Sequence, residues 1–369
     1  MKIYLVGGAV RDRLLGIKSN DLDFVVVGAT VSEMRDLGFV SVGKSFPVFI
    51  KKGEQGEYAL ARKEIKTGKS HTDFKFFFDK NVTLEEDLQR RDFTCNAIAF
   101  DDKTQKFIDP FNGIDDIKNK ILRIVDAKHF GEDPLRVLRL CRFAAQLNFD
   151  VDQLTMQIST KMIADDELEN LSAERIWSEI YKALQCRNFY KFLLVANQCG
   201  ALQKLFFTQT MSDDEINSFR KLNEFNDFVK ISALLCRITK CNETITKQIC
   251  SSLKMPSTYK EFCVFVCKYK SYFSTNNEIN LETLVDIAEY LIKRPQHFEN
   301  DFLTACFFFS DYDFETQNFI RKQLQNICAT LQNIKATDMP DFSTLAKDKS
   351  FAEKYRRYKI KCISTQINY

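Results

Sequence analysis

Asp21 and Asp23 stand one residue apart at the head of an apolar run, Phe24-Val25-Val26-Val27, that reads as a buried strand. Side chains alternate along a strand, so the two carboxylates project to one face and Leu22 to the other. Such a pair is a donor set for hard divalent ions. Two Mg²⁺ ions about 3.5–4 Å apart can activate an attacking hydroxyl and steady a departing pyrophosphate. Upstream, Gly7-Gly8 falls between a short apolar segment, Lys2 to Val6, and a helical one, Ala9 to Leu15. A glycine turn feeding a helix N-terminus brings backbone amides close to an anion, and Arg11 sits on the first turn of that helix. Alone, an Asp-x-Asp most often ends a solvated strand and a Gly-Gly most often marks a turn. In strand, turn, helix, strand order they point to metal-dependent nucleotidyl transfer, with Asp21 and Asp23 as metal ligands and Gly8 and Arg11 near the phosphates.

The elements that must position these groups change character once. From Met1 to about Val125, short β-rich runs (Phe39 to Val42, Phe46 to Ile50, Tyr58 to Ala61, Ile121 to Val125) alternate with helical stretches. After Asp133 the periodicity is almost wholly helical, at 133–147, 173–186, 188–202, 213–225, 257–273, 281–292 and 315–334. The predicted fold class is therefore α+β, an α/β head over residues 1–125 followed by a helical neck at 126–205 and an all-helical body and tail at 206–369. Interhelical breaks are expected at Asn276-Asn277 and Asp338-Met339-Pro340. The polar, basic stretch from Lys63 to Thr72 is expected to be mobile.

Composition narrows the class. The 369 residues, 45% of them hydrophobic, suffice for two or three packed units. Twelve cysteines are scattered without a Cys-x-x-Cys pair, which fits reduced, buried thiols and a cytoplasmic protein better than a disulfide framework. The first strand begins at the N-terminus, leaving no room for a signal peptide, and no apolar run reaches membrane-spanning length, so a soluble protein is expected. A net charge of +3 means that any nucleic-acid surface must be local.

Five blocks in order resemble the class II tRNA nucleotidyltransferases, the CCA-adding enzymes, and the related bacterial poly(A) polymerases. They are Tyr4 to Asp12 with Asp21 to Val27; Arg90-Arg91-Asp92-Phe93-Thr94-Cys95-Asn96-Ala97; Asp109-Pro110-Phe111-Asn112-Gly113; Glu132-Asp133-Pro134-Leu135-Arg136-Val137-Leu138-Arg139; and Ser172-Ala173-Glu174-Arg175-Ile176-Trp177. Together they span about the first half of the chain. The resemblance implies a catalytic nucleotidyltransferase head, base recognition by the neck, tRNA binding by the body and tail, and a flexible element closing over the site near Lys63 to Thr72. It also implies Mg²⁺ as cofactor, CTP, ATP and tRNA as substrates, and no obligate protein partner.

The second block reads as one amphipathic helix from Leu84 to Ala97. Arg91 would pair with triphosphate oxygens and Asp92 would accept a hydrogen bond from a ribose hydroxyl. The plainer reading is a surface salt-bridge cluster of Arg90, Arg91 and Asp92 with Glu85, Glu86 and Asp87, which the resemblance disfavours for Arg91 and Asp92. Asn96 braces the turn into the next strand. In the fourth block, Asp133, Arg136 and Arg139 would form a stripe on one helix. Asp133 would accept from the exocyclic amino group of cytosine or adenine, Arg136 would donate beside it, and Arg139 would support the nucleotide. The plainer alternative is an i,i+3 ion pair on a solvated helix, worth roughly 0.2–0.5 kcal/mol.

Weaker signals are Glu57, a candidate third carboxylate set against an ordinary surface glutamate, and a basic run from Lys347 to Lys361 with Tyr355 and Tyr358 interleaved. That run suits either tRNA phosphates or a solvated terminal helix. Some relatives carry a His-Asp phosphohydrolase domain; His71, His129 and His297 form no sequence cluster that would supply one. The expected activity is template-independent CCA addition to tRNA from CTP and ATP. The alternatives are an A-adding enzyme or poly(A) polymerase of the same family, and, from a different class, a non-catalytic RNA-binding protein.

Overall fold

The computed structural model describes residues 1–19, 21–42, 48–66, 74–77, 79–273, 280–294, 297–308, 310–340, 342 and 350–366. The chain divides into two compact units, Met1–Asn223 and Glu224–Tyr369.

The first unit opens with β1 (Lys2–Val6), α1 (Gly8–Leu14), β2 (Asp23–Val27), α2 (Val31–Asp36), β3 (Phe39–Ser41), β4 (Val48–Lys51), β5 (Glu57–Leu60), β6 (Lys63–Lys66), β7 (Phe74–Phe77), α3 (Leu84–Gln89), β8 (Ala99–Asp101) and β9 (Lys106–Ile108). Seven of these strands form one sheet in the order β3-β4-β5-β2-β1-β8-β9, while β6 and β7 pair only with each other. β1 and β2 run antiparallel with Val6 opposite Asp23, and β5 lies parallel to β2 with Glu57 opposite Asp23. Strand alternation splits the core: Tyr4, Val6 and Val25 pack on one face with Leu88, Ala97 and Ala99, and Val26 on the other with Met34, Phe49 and Leu60. The strand begins at Asp23, so Asp21 sits just before it.

Two expectations fail here for identifiable reasons. The helix predicted from Leu84 to Ala97 ends at Gln89, and a separate turn of 3₁₀ helix covers Thr94–Asn96. A Thr83/Glu86 capping box fixes its start. Its continuation is pre-empted because the Thr94 amide donates to the Arg123 carbonyl at 2.9 Å and the Val125 amide to the Asp92 carbonyl at 3.3 Å. Arg91 and Asp92 therefore lie on a connection between elements. The strand predicted at Ile121 to Val125 is only β10 (Ile121–Leu122), which follows α4 (Gly113–Asn119) and pairs with a later segment outside the main sheet.

The rest of the first unit is α5 (Ala127–Gly131), α6 (Leu135–Leu147), β11 (Asp150–Val151), α7 (Gln153–Ala164), α8 (Ala173–Leu184), α9 (Phe189–Gln198), α10 (Ala201–Phe206) and α11 (Asp213–Ser218). The single helix predicted over 188–202 is two, because Gly200 adopts φ 84° and closes α9 in the left-handed conformation. α6 is the central strut. Val137, Leu138, Leu140, Cys141, Ala144 and Ala145 are buried along it, while Arg136, Arg139 and Arg142 recur three apart.

The second unit is helical: α12 (Asp227–Thr239), α13 (Glu243–Ser252), α14 (Ser257–Tyr269), α15 (Leu281–Leu291), α16 (His297–Phe307), α17 (Phe314–Asn333) and α18 (Phe351–Gln366). Aromatic contacts among Phe228, Phe262 and Phe298, and among Phe265, Phe273 and Phe302, build its core. Two cations of the basic run are tied to a neighbouring helix while Arg357 stays exposed. Arg356 donates to Asp286 at 3.1 and 3.2 Å and Lys359 pairs with Glu289, so both cations hold α18 against α15. Residues 347–349 of that run, the break expected at Asn276-Asn277, and residues 67–72 of the expected mobile stretch lie outside the described residues. Among the described residues no helix is long and apolar enough to cross a membrane.

Candidate active site

A cleft of about 640 Å³ in the first unit is lined by Gly8, Arg11, Asp21, Asp23, Arg91, Asp92, Asp133, Arg136 and Arg139, every site residue predicted from sequence, together with Gly7, Arg62, Asn96, Arg142 and Arg175. Segments far apart in the chain thus converge on one concavity.

At the sheet end of the cleft stand Asp21 and Asp23. Burial raises the pKa of Asp23, Asp21 raises it further, the Arg91 guanidinium opposes both, and Glu57 on the neighbouring strand adds a smaller push upward. A carboxylate that burial and a like-charged neighbour make hard to ionise, as at Asp23, is the electrostatic condition that a divalent cation relieves. Among the described residues no group of three His, Cys, Asp or Glu side chains is placed to hold a metal, so Glu57 does not complete a cage. Two carboxylates with substrate oxygens and water filling the remaining positions is the usual way Mg²⁺ is held, and the donor set fits it.

The glycine turn works through Gly7 rather than Gly8. Gly7 has φ 72°, and a Cβ there would lie 2.9 Å from Arg91 Nη1, whereas a Cβ at Gly8 would meet only Arg11 Nη2 at 3.5 Å. A side chain at Gly7 would thus be strained and would displace Arg91. Arg91 donates weakly to the Asn96 carbonyl (3.5 Å) and to Asp87 (3.4 Å), and its buried Nε–H has no protein partner. A guanidinium that lines the cleft beside the carboxylate pair and is only weakly engaged by the protein fits an anionic ligand. The surface-cluster reading holds only in part: Arg90 and Arg91 do pair with Asp87, but Asp87 is fully buried.

Arg11 is buried and engaged. It donates to Asn96 Oδ1 at 2.8 Å and to Asp12 at 2.7 and 2.9 Å. Asn96 in turn donates to Asp92 Oδ1 at 3.0 Å, so it links Arg11 to Asp92 as well as bracing the turn. Asp92 Oδ2 accepts from both Nη2 and Nε of Arg139, at 2.6 and 2.8 Å. Burial would raise the Asp92 pKa, but Arg139 and the Asn96 amide outweigh it and bring it down to about 2. The folded value lies below the ordinary 3.8, so this stabilisation is present above pH 3.8 and lost as pH falls toward 2. It amounts to about 2 kcal/mol at neutral pH. Asp92→Ala, which leaves the half-buried Arg139 without this partner, is expected to cost about 2 kcal/mol, read as a lowered urea midpoint. An unchanged midpoint would show that the pair carries no net stability.

The third group departs most from expectation. Asp133 lies just before α6, its Oδ1 accepting from the Leu135 amide at 3.1 Å. It does not pair with Arg136. Arg175 of α8 donates to both Asp133 oxygens, at 3.0 and 3.3 Å, while Arg136 donates to the carbonyls of His129 (2.8 Å) and Arg90 (2.7 Å). Carboxylate and guanidinium are therefore each fixed from behind, by groups on other elements. A second α6–α8 tie, Arg142 to Glu179 at 2.5 Å, is almost fully buried. Arg175 lies in the fifth sequence block without an assigned role there and Arg142 lies in none; the three-residue spacing of Arg136, Arg139 and Arg142 is the signal that points to Arg142.

Known proteins resemble this chain over most of its length. The family described as "Poly A polymerase head domain" matches residues 3–123, and that described as "Probable RNA and SrmB- binding site of polymerase A" matches residues 148–210. The chain is 35% identical over 376 residues to the CCA-adding enzyme of Coxiella burnetii (strain RSA 331), covering 100% of this chain and 96% of the relative. It is 37% identical over 345 residues to the multifunctional CCA protein of Teredinibacter turnerae, covering 83% of each. A solved apo CCA-adding enzyme superposes with a TM-score of 0.72 at 22% identity, over 98% of this chain and 87% of that one, a likeness of fold.

Proposed function

Since the chain belongs to the family of CCA-adding enzymes and bacterial poly(A) polymerases, we propose that this cleft is where CTP and ATP are joined to the 3′ end of tRNA without a nucleic-acid template. The protein is a nucleotidyltransferase that completes CCA ends. What carries the residue-level reading is the convergence of the Asp21/Asp23 pair, the weakly engaged Arg91 guanidinium and the anchored Asp133 and Arg136 on one cleft. The functional division proposed is a catalytic head at 1–125, a base-reading neck at 126–205, and a tRNA-binding body and tail at 206–369. A cytoplasmic site of action suits the substrates and the free cysteines.

In the reaction the terminal tRNA hydroxyl attacks the α-phosphate in line and pyrophosphate leaves. Asp21 and Asp23 would hold the divalent cation, Mg²⁺, which when bound lowers the pKa of the attacking hydroxyl and neutralises charge on the phosphates. Arg91 offers guanidinium N–H donors, held only by long protein contacts, to the triphosphate, with the Gly7-Gly8 turn leaving room for the anion to approach. Arg11 keeps Asn96 and Asp92 in place at the sugar end and adds positive potential. Asp92 retains acceptor capacity beyond its pair with Arg139, and so can receive a ribose hydroxyl.

Asp133 and Arg136 read the base. Cytosine and adenine both present an exocyclic amino group to an acceptor, whereas uracil and guanine present a carbonyl that a carboxylate repels. Arg175 fixes that acceptor, so Arg175→Gln is expected to raise KM for CTP and ATP roughly tenfold with a smaller fall in kcat, as a positioning defect should. Equal loss in kcat with KM unchanged would place Arg175 in the chemical step. The activity itself is tested with tRNA transcripts ending before CCA, after C and after CC, offered each nucleoside triphosphate. Addition of C, C and A that then stops is expected; A alone, long A tails or no product would replace the reading.

A further inference from the structure

In the second unit three sulfurs converge where α12, the turn after it and α14 meet. Cys236 Sγ on α12 lies 3.3 Å from Cys267 Sγ on α14. Cys241 reaches back from the turn, its Sγ 3.8 Å from the Cys236 carbonyl oxygen, and Thr246 Oγ1 donates to Cys267 Sγ at 3.3 Å. The turn is unusual: Lys240 and Cys241 take φ of 51° and 60°, left-handed values that cost non-glycine residues energy. Cys236 and Cys267 are 3% and 2% exposed, while Cys241 is half-buried and the most exposed of the three.

We propose that Cys236, Cys241 and Cys267 form a peroxide-reactive thiol relay, entered at Cys241 and ending in a buried Cys236–Cys267 disulfide. Hydrogen bonding from Cys236 and Cys267, aided by the Lys270 charge, lowers the Cys241 pKa, whereas Cys236 is raised by its thiol neighbours and by burial. Cys241 is thus the sulfur with both thiolate character and access. Its thiolate attacks hydrogen peroxide: an S–O bond forms as the O–O bond breaks, the sulfur is oxidised to sulfenic acid, and hydroxide leaves to become water. Cys267 then attacks the Cys241 sulfur, forming the S–S bond and expelling the oxygen as water with the thiol proton. Cys236, its proton taken by the hydroxide released in the first step, attacks Cys267 in turn, and Cys241, the sulfur of lowest pKa in the group, leaves. The final bridge needs its sulfurs to close from 3.3 Å to about 2.05 Å, and it releases Cys241 as a thiolate.

The test is limited hydrogen peroxide on the full-length protein, with dimedone present to trap sulfenic acid and non-reducing peptide mapping by mass spectrometry. Cys241 is expected to take dimedone ahead of Cys186 and Cys362, the other half-buried thiols, and without dimedone the α12 and α14 peptides should be joined through Cys236 and Cys267. Cys236→Ala should halt the relay at a Cys241–Cys267 bridge, and Cys241→Ser should slow bridging by about tenfold or more. Labelling of Cys241 no faster than of Cys186 and Cys362, which needs no variant, overturns the relay. Bridging at the wild-type rate in Cys241→Ser overturns it as well.

Discussion

Asp21→Ala and Asp23→Ala are each expected to abolish incorporation of both C and A while leaving tRNA affinity within a few-fold of wild type. Both additions are the same reaction, attack of a terminal ribose hydroxyl on a nucleoside triphosphate's α-phosphate at the same carboxylate pair, so a lesion there cannot spare one base over the other. Electrostatic groups aimed at the reacting centre are worth about 10²–10³-fold each, and a metal ligand is at least in that class. A gel following each nucleotide separately, with tRNA binding measured by filter retention, distinguishes loss of chemistry from loss of substrate. Substantial turnover by either variant would refute the two-carboxylate assignment. The raised pKa of Asp23, from burial and Asp21, adds a pH signature. Its folded value exceeds its unfolded one, so its contribution favours the fold below the ordinary carboxylate pKa and is lost as pH rises through the raised value. Divalent metal, which binds the ionised pair, reverses that loss. Activity should therefore fall on the acid side at a higher pH than an isolated aspartate would dictate, and added metal should push the fall to lower pH. Arg91→Gln, which removes the one cation opposing the shift, should move it to higher pH.

Local pattern carried much of this site. The Gly7-Gly8 turn, the alternation through Asp21 and Asp23, and the stripe of arginines on α6 depend on spacing within one element, and the structure draws all the named residues to one cleft. The partners were not legible. Asp92 with Arg139 and Asp133 with Arg175 join different elements, and the choice depends on how α6 and α8 pack, which no local spacing reports. The same limit explains α3: apolar periodicity runs past Gln89, and the helix stops because backbone amides beyond it bond to residues 92 and 123. In the second unit, α12 does not show in the sequence as a solvent-facing stripe: Val229 to Cys236 are buried without interruption, Lys230 and Ser232 among them, so its polar residues do not mark an exposed face.

Asp133→Ala is expected to relax base choice more than it weakens triphosphate binding. In the wild-type cleft the Asp133 carboxylate already receives Arg175 and the Leu135 amide. Its two oxygens offer about four acceptor positions, so capacity remains for one amino group of an incoming base. A carbonyl in that place meets negative charge and leaves a desolvated acceptor unsatisfied, a penalty of about 1–3 kcal/mol, or roughly 10–100-fold in discrimination. Removing the side chain removes both reward and penalty, so misincorporation of U and G should rise by about that factor while correct addition slows. Asp133→Asn is the sharper variant because it keeps the shape and substitutes an amide that can donate to a carbonyl. UTP should become a substrate at near the efficiency of CTP, with the Mg²⁺ requirement unchanged. Arg175→Gln keeps the carboxylate and loosens its anchor, so it should raise KM for the correct nucleotides with a smaller change in base preference. Competition between CTP and UTP on tRNA lacking CCA gives the ratio directly. An Asp133→Asn enzyme that still rejects UTP as wild type does would move base selection to another wall of the cleft.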